Sequence, residues 1–397
     1  MLLRGYKYRL RPSKKQKKIL LRWMGACRFV YNCGLAHRSI NYQQWPKSVS
    51  YFDQQNALPE AKSDPELSWL KEVPSQSLQM ALRHLDTAFK NFFRGTGKYP
   101  QPKKKGMHDS ISFPQGNILK IQKKARKTRS ILLPKLGEVE FIHHRNFTGK
   151  VKSATVSHSH GNGWQMSILV EEADIIPPNK SEETVGIDLG VARTIAVSGA
   201  HPDQNLPVEQ IKRIEKRIAV IQRKQAKVTR FSDRWKHFRR VVAKLHSRVS
   251  RIRKDFLHQA SSNLSKNHGV IVMEDLKVKN MSKSASGTKE EPGQKVAQKS
   301  GLNRAILRQG WGSFRTMMEY KTTWYGSRLI LVSPKNTSRR CCQCGYTHEG
   351  NRQTQAEFLC LQCGHNENAD KNAANNIRRL GLESLGCEPL EAPAIAC

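Results

Sequence analysis

Two cysteine pairs near the carboxy-terminal end constrain the fold more tightly than any other feature of the chain. Cys341 and Cys344 form one Cys-x-x-Cys pair, Cys360 and Cys363 form a second, and residues 345–359 separate them. Pairs at this spacing are typical of tetrahedral four-cysteine zinc sites, in which two tight turns direct four thiolates at one ion. A redox pair or a chance spacing is the alternative. We expect one structural Zn²⁺ ion held by these four residues.

The remaining cysteines have no partner at ligand spacing. Cys342 adjoins the first ligand, so its side chain is expected to point away from the ion. The others are expected to be core or tail residues: Cys27, Cys33, Cys387 and Cys397. In a reducing compartment such cysteines are thiols or metal ligands rather than disulfides.

Basic residues greatly outnumber acidic ones, with 69 Lys and Arg against 32 Asp and Glu and a net charge of +37. A charge of this size needs a polyanionic partner to offset its self-repulsion. Nucleic acid is the natural candidate, because each neutralised phosphate releases condensed counterions. The alternatives are a basic surface that only maintains solubility, and an anionic membrane, for which no amphipathic anchor or lipidation motif is evident.

The sequence shows no targeting or membrane segment. Its start, MLLRGYKYRL, lacks the apolar region of a signal peptide. No apolar run approaches the roughly 20 residues that cross a bilayer. We therefore expect an intracellular, soluble protein.

The amino-terminal part is predicted to be a small β domain interrupted by helices. Residues 6–11 alternate apolar and basic side chains, which is the period of a strand, and a helix with Ser13 as its N-cap should follow. A further helix is expected over residues 75–93. Strand patterns return within residues 101–180, with a hairpin turn at residues 160–163. Five apolar residues share one stripe of the 75–93 helix, which indicates core packing more than a base-stacking platform: Leu78, Leu82, Leu85, Phe89 and Phe92.

The carboxy-terminal part is predicted to alternate short apolar strands with long basic helices. Two apolar seams, over residues 211–221 and 242–256, suggest an antiparallel helical hairpin with a break near residues 229–233. Its basic flanks are either a solvated or an RNA-facing surface. Residues 282–300 are poor in apolar side chains and are expected to be mobile, with a helix beginning near Leu302.

Three acidic residues are candidates for a catalytic site. Asp188 and Glu274 each end an apolar, strand-like run, and Asp370 begins a helical run just beyond the last zinc cysteine. Each has a simpler alternative: Asp188 as a turn former, Glu274 as a strand-end charge and Asp370 as a helix N-cap. Asp275 would face the other side of its strand and is not included.

Three carboxylates at one sheet edge would repel one another unless divalent cations lay between them. Oxygen ligands of this kind suit Mg²⁺ or Mn²⁺. Two such ions can activate water and stabilise the leaving oxygen in phosphodiester hydrolysis. Together the three acids predict a metal-dependent nuclease that uses no covalent nucleophile of its own.

The motifs around these residues resemble those of the TnpB family, whose members are encoded by insertion sequences. GIDLG contains Asp188, VMEDL contains Glu274, GWGSF begins at Gly310, and DKNAANNI follows the cysteine knuckles; CRFVYN, at residues 27–32, extends the resemblance over nearly the whole chain. The resemblance implies an α/β plus β architecture. It consists of an RNase H-like (RuvC) nuclease domain with a four-cysteine zinc-finger insertion, preceded by a β-barrel wedge domain that contains a helical recognition insertion.

The implied domain boundaries follow the sequence patterns. The wedge domain would comprise residues 1–12 and 101–180, the recognition domain 13–100, the nuclease domain 181–336 and 364–380, the zinc finger 337–363, and a flexible tail 381–397.

The resemblance also implies a function. Members bind a guide RNA derived from the transposon end, recognise a short motif next to the target, open double-stranded DNA and cut both strands at one RuvC site. Asp188, Glu274 and Asp370 match the family's three catalytic acids, which implies two Mg²⁺ ions, with Mn²⁺ as a substitute. Tyr51 and Gln79 match positions that read the target-adjacent motif. One chain per guide RNA, in a prokaryotic cytoplasm and associated with the nucleoid, is the implied arrangement.

Three other functions remain open at this point. A compact type V CRISPR effector would share ancestry and chemistry but use a CRISPR RNA. A guided DNA-binding repressor would not cut, although relatives of that kind have lost acids that are intact here. A transposase would need a joining nucleophile, such as a paired His and Tyr, which nothing in the sequence supplies.

Overall fold

The fold is described from a computed structural model of the chain, for residues 2–45, 48–107, 109–173, 181–288 and 290–386. The chain divides into two compact units. The first unit comprises Met1–Asp174 and Val228–Lys244, and the second comprises Ile175–Lys227 and Leu245–Cys397. Among the described residues, no helix is both long enough and apolar enough to cross a membrane.

The first unit begins with a strand that leads into a long helix. Ser13 caps this helix: its hydroxyl accepts from the backbone N–H of Gln16, and the Gln16 side chain accepts from the N–H of Ser13. This capping box confirms Ser13 as the N-cap. The elements up to the sheet are β1 (Leu2–Arg11), α1 (Lys14–Gln44), α2 (Tyr51–Asn56), α3 (Leu58–Ser63), a 3₁₀ helix (Pro65–Glu72) and α4 (Ser75–Phe93).

Helix α4 packs into the core of the first unit through the predicted stripe. Four of the five stripe residues are buried, and only Phe92 is partly exposed: Leu78, Leu82, Leu85 and Phe89. Core packing is therefore confirmed for these four side chains.

The two cysteines of helix α1 lie in different environments. Cys27 is buried, as expected, whereas Cys33 is exposed. The expectation that Cys33 is a core or tail residue is wrong, because residues six apart on an α-helix lie about 120° apart around its axis. The side chain of Cys33 therefore points away from the face that Cys27 buries.

Seven strands of the first unit form one antiparallel sheet, in the order β2-β6-β7-β1-β5-β4-β3. β1 lies at its centre and pairs with β7 and β5, so the first strand of the chain shares a sheet with strands that follow the helices. Ser159 pairs with Gly163, which confirms the predicted hairpin turn. The strands are β2 (Asp109–Phe113), β3 (Ile121–Ala125), β4 (Thr128–Leu133), β5 (Gly137–Ile142), β6 (Lys150–Ser159) and β7 (Gly163–Glu172), with a 3₁₀ helix (Gly116–Ile118) after β2.

The second unit contains a four-stranded sheet in the order β11-β10-β8-β9. Its strands are β8 (Thr184–Asp188), β9 (Ala196–Val197), β10 (Val270–Glu274) and β11 (Arg328–Val332). β8, β10 and β11 are parallel, and β9 is antiparallel to β8. Because parallel strands end at the same edge, Asp188 and Glu274 finish neighbouring strands on one side of the sheet.

Six α-helices follow β9 among the described residues, and residues 233–244 of the second of them belong to the first unit. They are α5 (Val208–Ala226), α6 (Asp233–Asn267), α7 (Val278–Met281), α8 (Val296–Gln309), α9 (Trp311–Tyr325) and α10 (Ala369–Ser384). The gap between α5 and α6 agrees with the predicted break near residues 229–233. A short antiparallel pair, β12 (Glu357–Leu359) and β13 (Asn366–Asn368), and a 3₁₀ helix (Glu349–Asn351) complete the second unit.

Two sequence predictions about helix limits are wrong. Helix α8 begins at Val296 rather than near Leu302, so residues 296–300, expected to be mobile, are helical. Gly310, with φ of 77°, separates α8 from α9 where one helix was expected.

A third correction concerns the tail, which the sequence predicts to begin at Gly381. Helix α10 continues through Ser384. A Cβ atom on Gly381 would lie 2.3 Å from a methyl carbon of Val272. Gly381 is therefore a close-packing position inside a helix, not a terminator. Residues 387–397, with Cys387 and Cys397, lie outside the described residues.

Candidate active site

The three predicted acids are brought together at the carboxyl edge of the parallel strands. Ile187 pairs with Met273, so the next residues on the two strands, Asp188 and Glu274, are neighbours. Asp370 lies in the first turn of α10. The charges of Glu274 and Asp370 both raise the pKa of Asp188, as only nearby carboxylates can.

Asp370 is held in place by the start of its helix. The Asn368 side chain accepts from the backbone N–H groups of Asp370 and Lys371, so Asn368 is the N-cap and Asp370 is not. The Asp370 carboxylate instead lies 3.5 Å from the guanidinium of Arg352. Its charge is thus available to the site rather than used for capping.

Close backbone packing sets the distance between α10 and β8. A Cβ atom on Gly186 would lie 2.1 Å from the carbonyl oxygen of Ala374 and 2.4 Å from the backbone nitrogen of Arg378. Only glycine fits where a helix approaches a strand this closely. Gly186 is two residues before Asp188, and Ala374 is one turn after Asp370. The contact therefore keeps these two acids side by side.

Substituting Gly186 by alanine should push α10 away from β8. We expect a loss of about 1–3 kcal/mol in the free energy of unfolding, as for other overpacked cores. We also expect at least a roughly tenfold slower reaction at the site, because Asp370 moves relative to Asp188. Denaturant unfolding and single-turnover kinetics measure the two effects. Gly312→Ala is the matched control, since a Cβ there meets nothing within 4 Å; equal behaviour of both variants would contradict the role given to Gly186.

Burial raises the pKa values of all three acids, and repulsion by the other two raises that of Asp188 further. Burial, then the charges of Glu274 and Asp370, raise the pKa of Asp188 to about 7. Burial raises the pKa of Glu274, and the Thr337 hydroxyl, which donates to its carboxylate at 2.6 Å, lowers it in part. Burial raises the pKa of Asp370, and the charge of Arg352 opposes this.

The donor atoms of these three acids are of the kind that a divalent cation binds, but the acids are not among the described groups whose ligand atoms all lie within 4.8 Å of one another. They offer only oxygen donors, and their negative charge exceeds that of the cationic side chains near them. Carboxylate oxygens are the ligands preferred by Mg²⁺ and Mn²⁺. Thr337 and Arg352, which orient two of the acids, were not predicted, because neither lies in a motif near them in the sequence.

Asp275 does not take part in this cluster. Its carboxylate pairs with Lys277 at 2.5 Å and with Arg315. Both partners lower the pKa of Asp275, so it stays ionised. Its omission from the candidate site is consistent with this pairing.

The four predicted zinc ligands also come together. Their sulfur atoms lie within 4.8 Å of one another, which could hold one metal ion. The closest approaches are 3.5 Å, between Cys344 and Cys360, and 3.7 Å, between Cys341 and Cys363. Cys342 points away, as expected, with its sulfur 3.5 Å from Nε2 of His365.

The first cysteine knuckle is fixed to helix α10. The side-chain amides of Asn372 and Asn376 donate to the carbonyl oxygen of Arg340, at 2.8 and 2.6 Å. Asn372 also accepts from the backbone N–H of Cys342 at 2.9 Å. The knuckle therefore supports the helix that presents Asp370.

Tyr51 and Gln79, the predicted motif-reading residues, lie in the first unit and are partly exposed. Tyr51 begins α2, and the guanidinium of Arg83 lies 5.4 Å from the centre of its ring. Arg83 is one turn beyond Gln79 on α4. Tyr51 and Gln79 therefore both lie near Arg83, in the same part of the first unit.

Three family models match parts of the chain. Residues 167–285 match a family described as a probable transposase, and residues 311–377 match the Cas12f1-like TNB domain. Residues 1–47 match a family described as a helix-turn-helix domain. In the described part of that range the chain forms a strand and one continuous helix, not two helices joined by a turn.

Several relatives match nearly the whole chain. InsQ of Escherichia coli (strain K12), named as an RNA-guided DNA endonuclease, is 41% identical over 385 residues, covering 97% of this chain and 94% of InsQ. A Streptomyces pristinaespiralis protein with the same description is 32% identical over 388 residues, covering 97% and 90%. The TnpB-like protein L79 of Acanthamoeba polyphaga mimivirus is 22% identical, covering 95% and 73%.

Two solved structures share the fold at low sequence identity. One is the protein of a Cas12f1–sgRNA–target DNA complex, with a TM-score of 0.51, 13% identity and coverage of 95% of this chain and 98% of that one. The other is the mini RNA-guided endonuclease CRISPR-Cas phi3, with a TM-score of 0.53, 12% identity and coverage of 99% and 94%. The likeness extends over both units of the chain, and it is a likeness of fold.

Proposed function

The chain belongs to the TnpB family, and from that membership we propose that it is an RNA-guided DNA endonuclease. The observation that most supports the proposal is the carboxylate cluster of buried Asp370 and partly buried Asp188 and Glu274. A protein that only bound DNA would gain nothing from three acids that destabilise one another. The intact cluster therefore favours cutting over repression.

We assign the three acids to two Mg²⁺ ions, with Mn²⁺ as a substitute. Such ions, when bound, supply Lewis-acid activation of water and neutralise charge on the leaving oxygen. The chain's own residues position these ligands. The strand register sets Asp188 beside Glu274, Thr337 orients Glu274 by its hydrogen bond, and Arg352 pairs with Asp370.

One site of this kind would cut the two DNA strands in turn. The second unit would then be a RuvC-like, RNase H-type nuclease domain with its zinc finger at residues 337–363. The recognition domain, at residues 13–100, and the wedge domain, at residues 1–12 and 101–180, would lie in the first unit as far as residue 174. Its partly exposed Tyr51 and Gln79 would read the target-adjacent motif.

The guide RNA accounts for the charge of the chain. Base pairing between guide and target supplies sequence specificity, while the protein holds the A-form heteroduplex by its backbone. That task requires many Lys and Arg side chains and few that read bases, in agreement with a net charge of +37. We assign the guide to the transposon end, with one chain per guide.

The test is reconstitution with the RNA that co-purifies with the protein. We expect sequencing to identify a transposon-end RNA, and the complex to cut both strands of a matching plasmid next to a fixed motif. Cleavage should require Mg²⁺ and should stop when EDTA is added. A co-purifying CRISPR RNA would indicate a type V effector instead. Tight target binding without any cleavage would indicate a repressor and overturn the proposal.

A further inference from the structure

Two histidines and a glutamate converge at the edge of the four-stranded sheet opposite the three acids. Nε2 of His201 lies 2.6 Å from one carboxylate oxygen of Glu183, and Nδ1 of His268 lies 3.2 Å from the other. The two imidazole rings are 4.9 Å apart and inclined at 73°. We propose that these three residues form a second metal site, which binds Zn²⁺ or a similar first-row transition-metal ion.

The fold builds this cluster from the starts of two parallel strands. Glu183 immediately precedes β8, and His268 lies two residues before β10. The carbonyl oxygen of Glu183 accepts from the backbone N–H groups of Gly269 and Val270, at 3.0 and 3.2 Å. The backbone that carries two of the ligands is therefore part of the sheet, not of a free loop.

His201 comes from the segment after β9 and is fixed from the other side. Its carbonyl oxygen accepts from Nζ of Lys371 at 2.6 Å, and the same amine donates to the carbonyl oxygen of Val197 at 2.7 Å. Lys371 also forms an ion pair with Asp203 at 3.2 Å. The third ligand is thus anchored to the first turn of α10.

The three ligand atoms have spacings suited to a small ion. All lie within 4.8 Å of one another. Ligands about 2.0–2.1 Å from a tetrahedral ion are roughly 3.4 Å apart. The 2.6 and 3.2 Å contacts run to different oxygens of the Glu183 carboxylate, so the carboxylate must turn, or bind through both oxygens, for the three residues to hold one ion. Two imidazoles and one carboxylate are a ligand set for Zn²⁺ and its neighbours, and are unlike the all-sulfur set of the zinc finger.

Exposure leaves a path for the ion and for a water ligand. The His268 side chain is only 9% exposed and forms the base of the cluster, whereas Glu183 is 46% and His201 33% exposed. Three protein ligands leave a fourth tetrahedral position, which faces the accessible side. The competing explanation is a metal-free hydrogen-bonded network in which both rings donate to the carboxylate.

The location suggests what the ion would do. Glu183 leads into the strand that ends at Asp188, and His268 leads into the strand that ends at Glu274. His201 is bonded to Lys371, the neighbour of Asp370. Two of the ligands therefore adjoin strands that present Asp188 and Glu274, and the third is hydrogen-bonded to the helix that presents Asp370. An ion bound here would hold β8, β10 and α10 together at the edge of the sheet opposite the three acids.

Zinc analysis of the full-length protein tests the proposal. After equilibration with Zn²⁺ and removal of loosely bound ions, we expect about two zinc ions per wild-type chain and about one in His201→Gln and in His268→Gln. The glutamine amide can still donate to Glu183, so these variants preserve a hydrogen-bonded network while removing a metal ligand. The exposed His246, changed to glutamine, is the matched control and should retain both ions.

Cobalt substitution separates the two sites. Thiolate-to-Co²⁺ charge-transfer bands report the zinc finger and should persist in every variant. A second, weaker set of visible bands from the nitrogen–oxygen site should disappear in His201→Gln. If the buried His268 variant fails to fold, the half-exposed His201 variant still decides the matter. One zinc per wild-type chain, with zinc content and cobalt bands unchanged by His201→Gln, would show that the cluster is a metal-free network.

Discussion

Asp188→Asn is expected to abolish DNA cleavage, by at least about 10³-fold, while guide and target binding stay near wild type. The substitution keeps the size of the side chain but removes the charge of a carboxylate that lies between two others. Single-turnover cleavage in Mg²⁺ measures the first effect, and binding of the guide and of the target measures the second. Cleavage at the normal rate would refute the assignment of Asp188 to the active site.

The same variant should be more stable than wild type when metal is absent. Asp188 has a pKa of about 7 in the folded chain, against an ordinary value of 3.8. The folded state therefore holds a proton that the unfolded state releases. Binding of this proton stabilises the folded state of the wild-type protein. The stabilisation is complete below about pH 4 and is lost as the pH rises through 7. At pH 8 the ionised carboxylate costs up to about 4 kcal/mol, which asparagine avoids.

The free energy of unfolding of both proteins, measured in EDTA at pH 4 and at pH 8, tests this pH dependence. The advantage of Asp188→Asn should be present at pH 8 and absent at pH 4. Asp275→Asn is the matched control, since that exposed carboxylate has cationic partners and a lowered pKa. It should gain no stability at pH 8 and should still cut DNA. A destabilised Asp188→Asn chain at pH 8 would contradict the repulsion inferred among the three acids.

Cys341→Ser is expected to lose the ion of the zinc finger, destabilise the carboxy-terminal region and slow cleavage by at least about 100-fold. Structural zinc sites contribute on the order of 10 kcal/mol to the folding of isolated fingers, so removal of a ligand is severe. Cleavage should fall because the knuckle is hydrogen-bonded to α10, which presents Asp370. Zinc content, thermal unfolding and cleavage rate are the measurements.

Cys342→Ser is the control for this variant, because its sulfur points away from the four ligands. It should retain zinc and cut DNA at close to the normal rate. Less than one zinc per wild-type chain, or a Cys341→Ser chain that keeps its ion, would refute the zinc-finger assignment.

The sequence predicted the features that depend on local patterns. Asp188 and Glu274 could be located because each ends an apolar run, and such runs become parallel strands that finish at one sheet edge. The cysteine ligands could be located because a knuckle is built from adjacent residues. The helix at residues 75–93 was predicted from its stripe, since burial of a single face imposes a helical period.

Features that depend on contacts between distant segments were missed. Thr337 is 63 residues from Glu274, whose carboxylate it orients, and nothing near it in the sequence indicates that role. The sequence predicts that a tail begins at Gly381, whereas the missing side chain of Gly381 allows α10 to approach Val272. Glycines that end helices and glycines that permit close packing look alike in a sequence, because only the approaching segment distinguishes them.

The repulsion among the three acids also has an evolutionary consequence. Asp-to-Asn is a single-nucleotide change, and at Asp188 it should end cutting while making the metal-free fold more stable. Loss of a zinc cysteine should instead cost stability. A lineage in which cutting is no longer selected should therefore lose its acids early and keep its cysteines long afterwards. Guided binding proteins would then arise from guided nucleases by steps that folding itself favours.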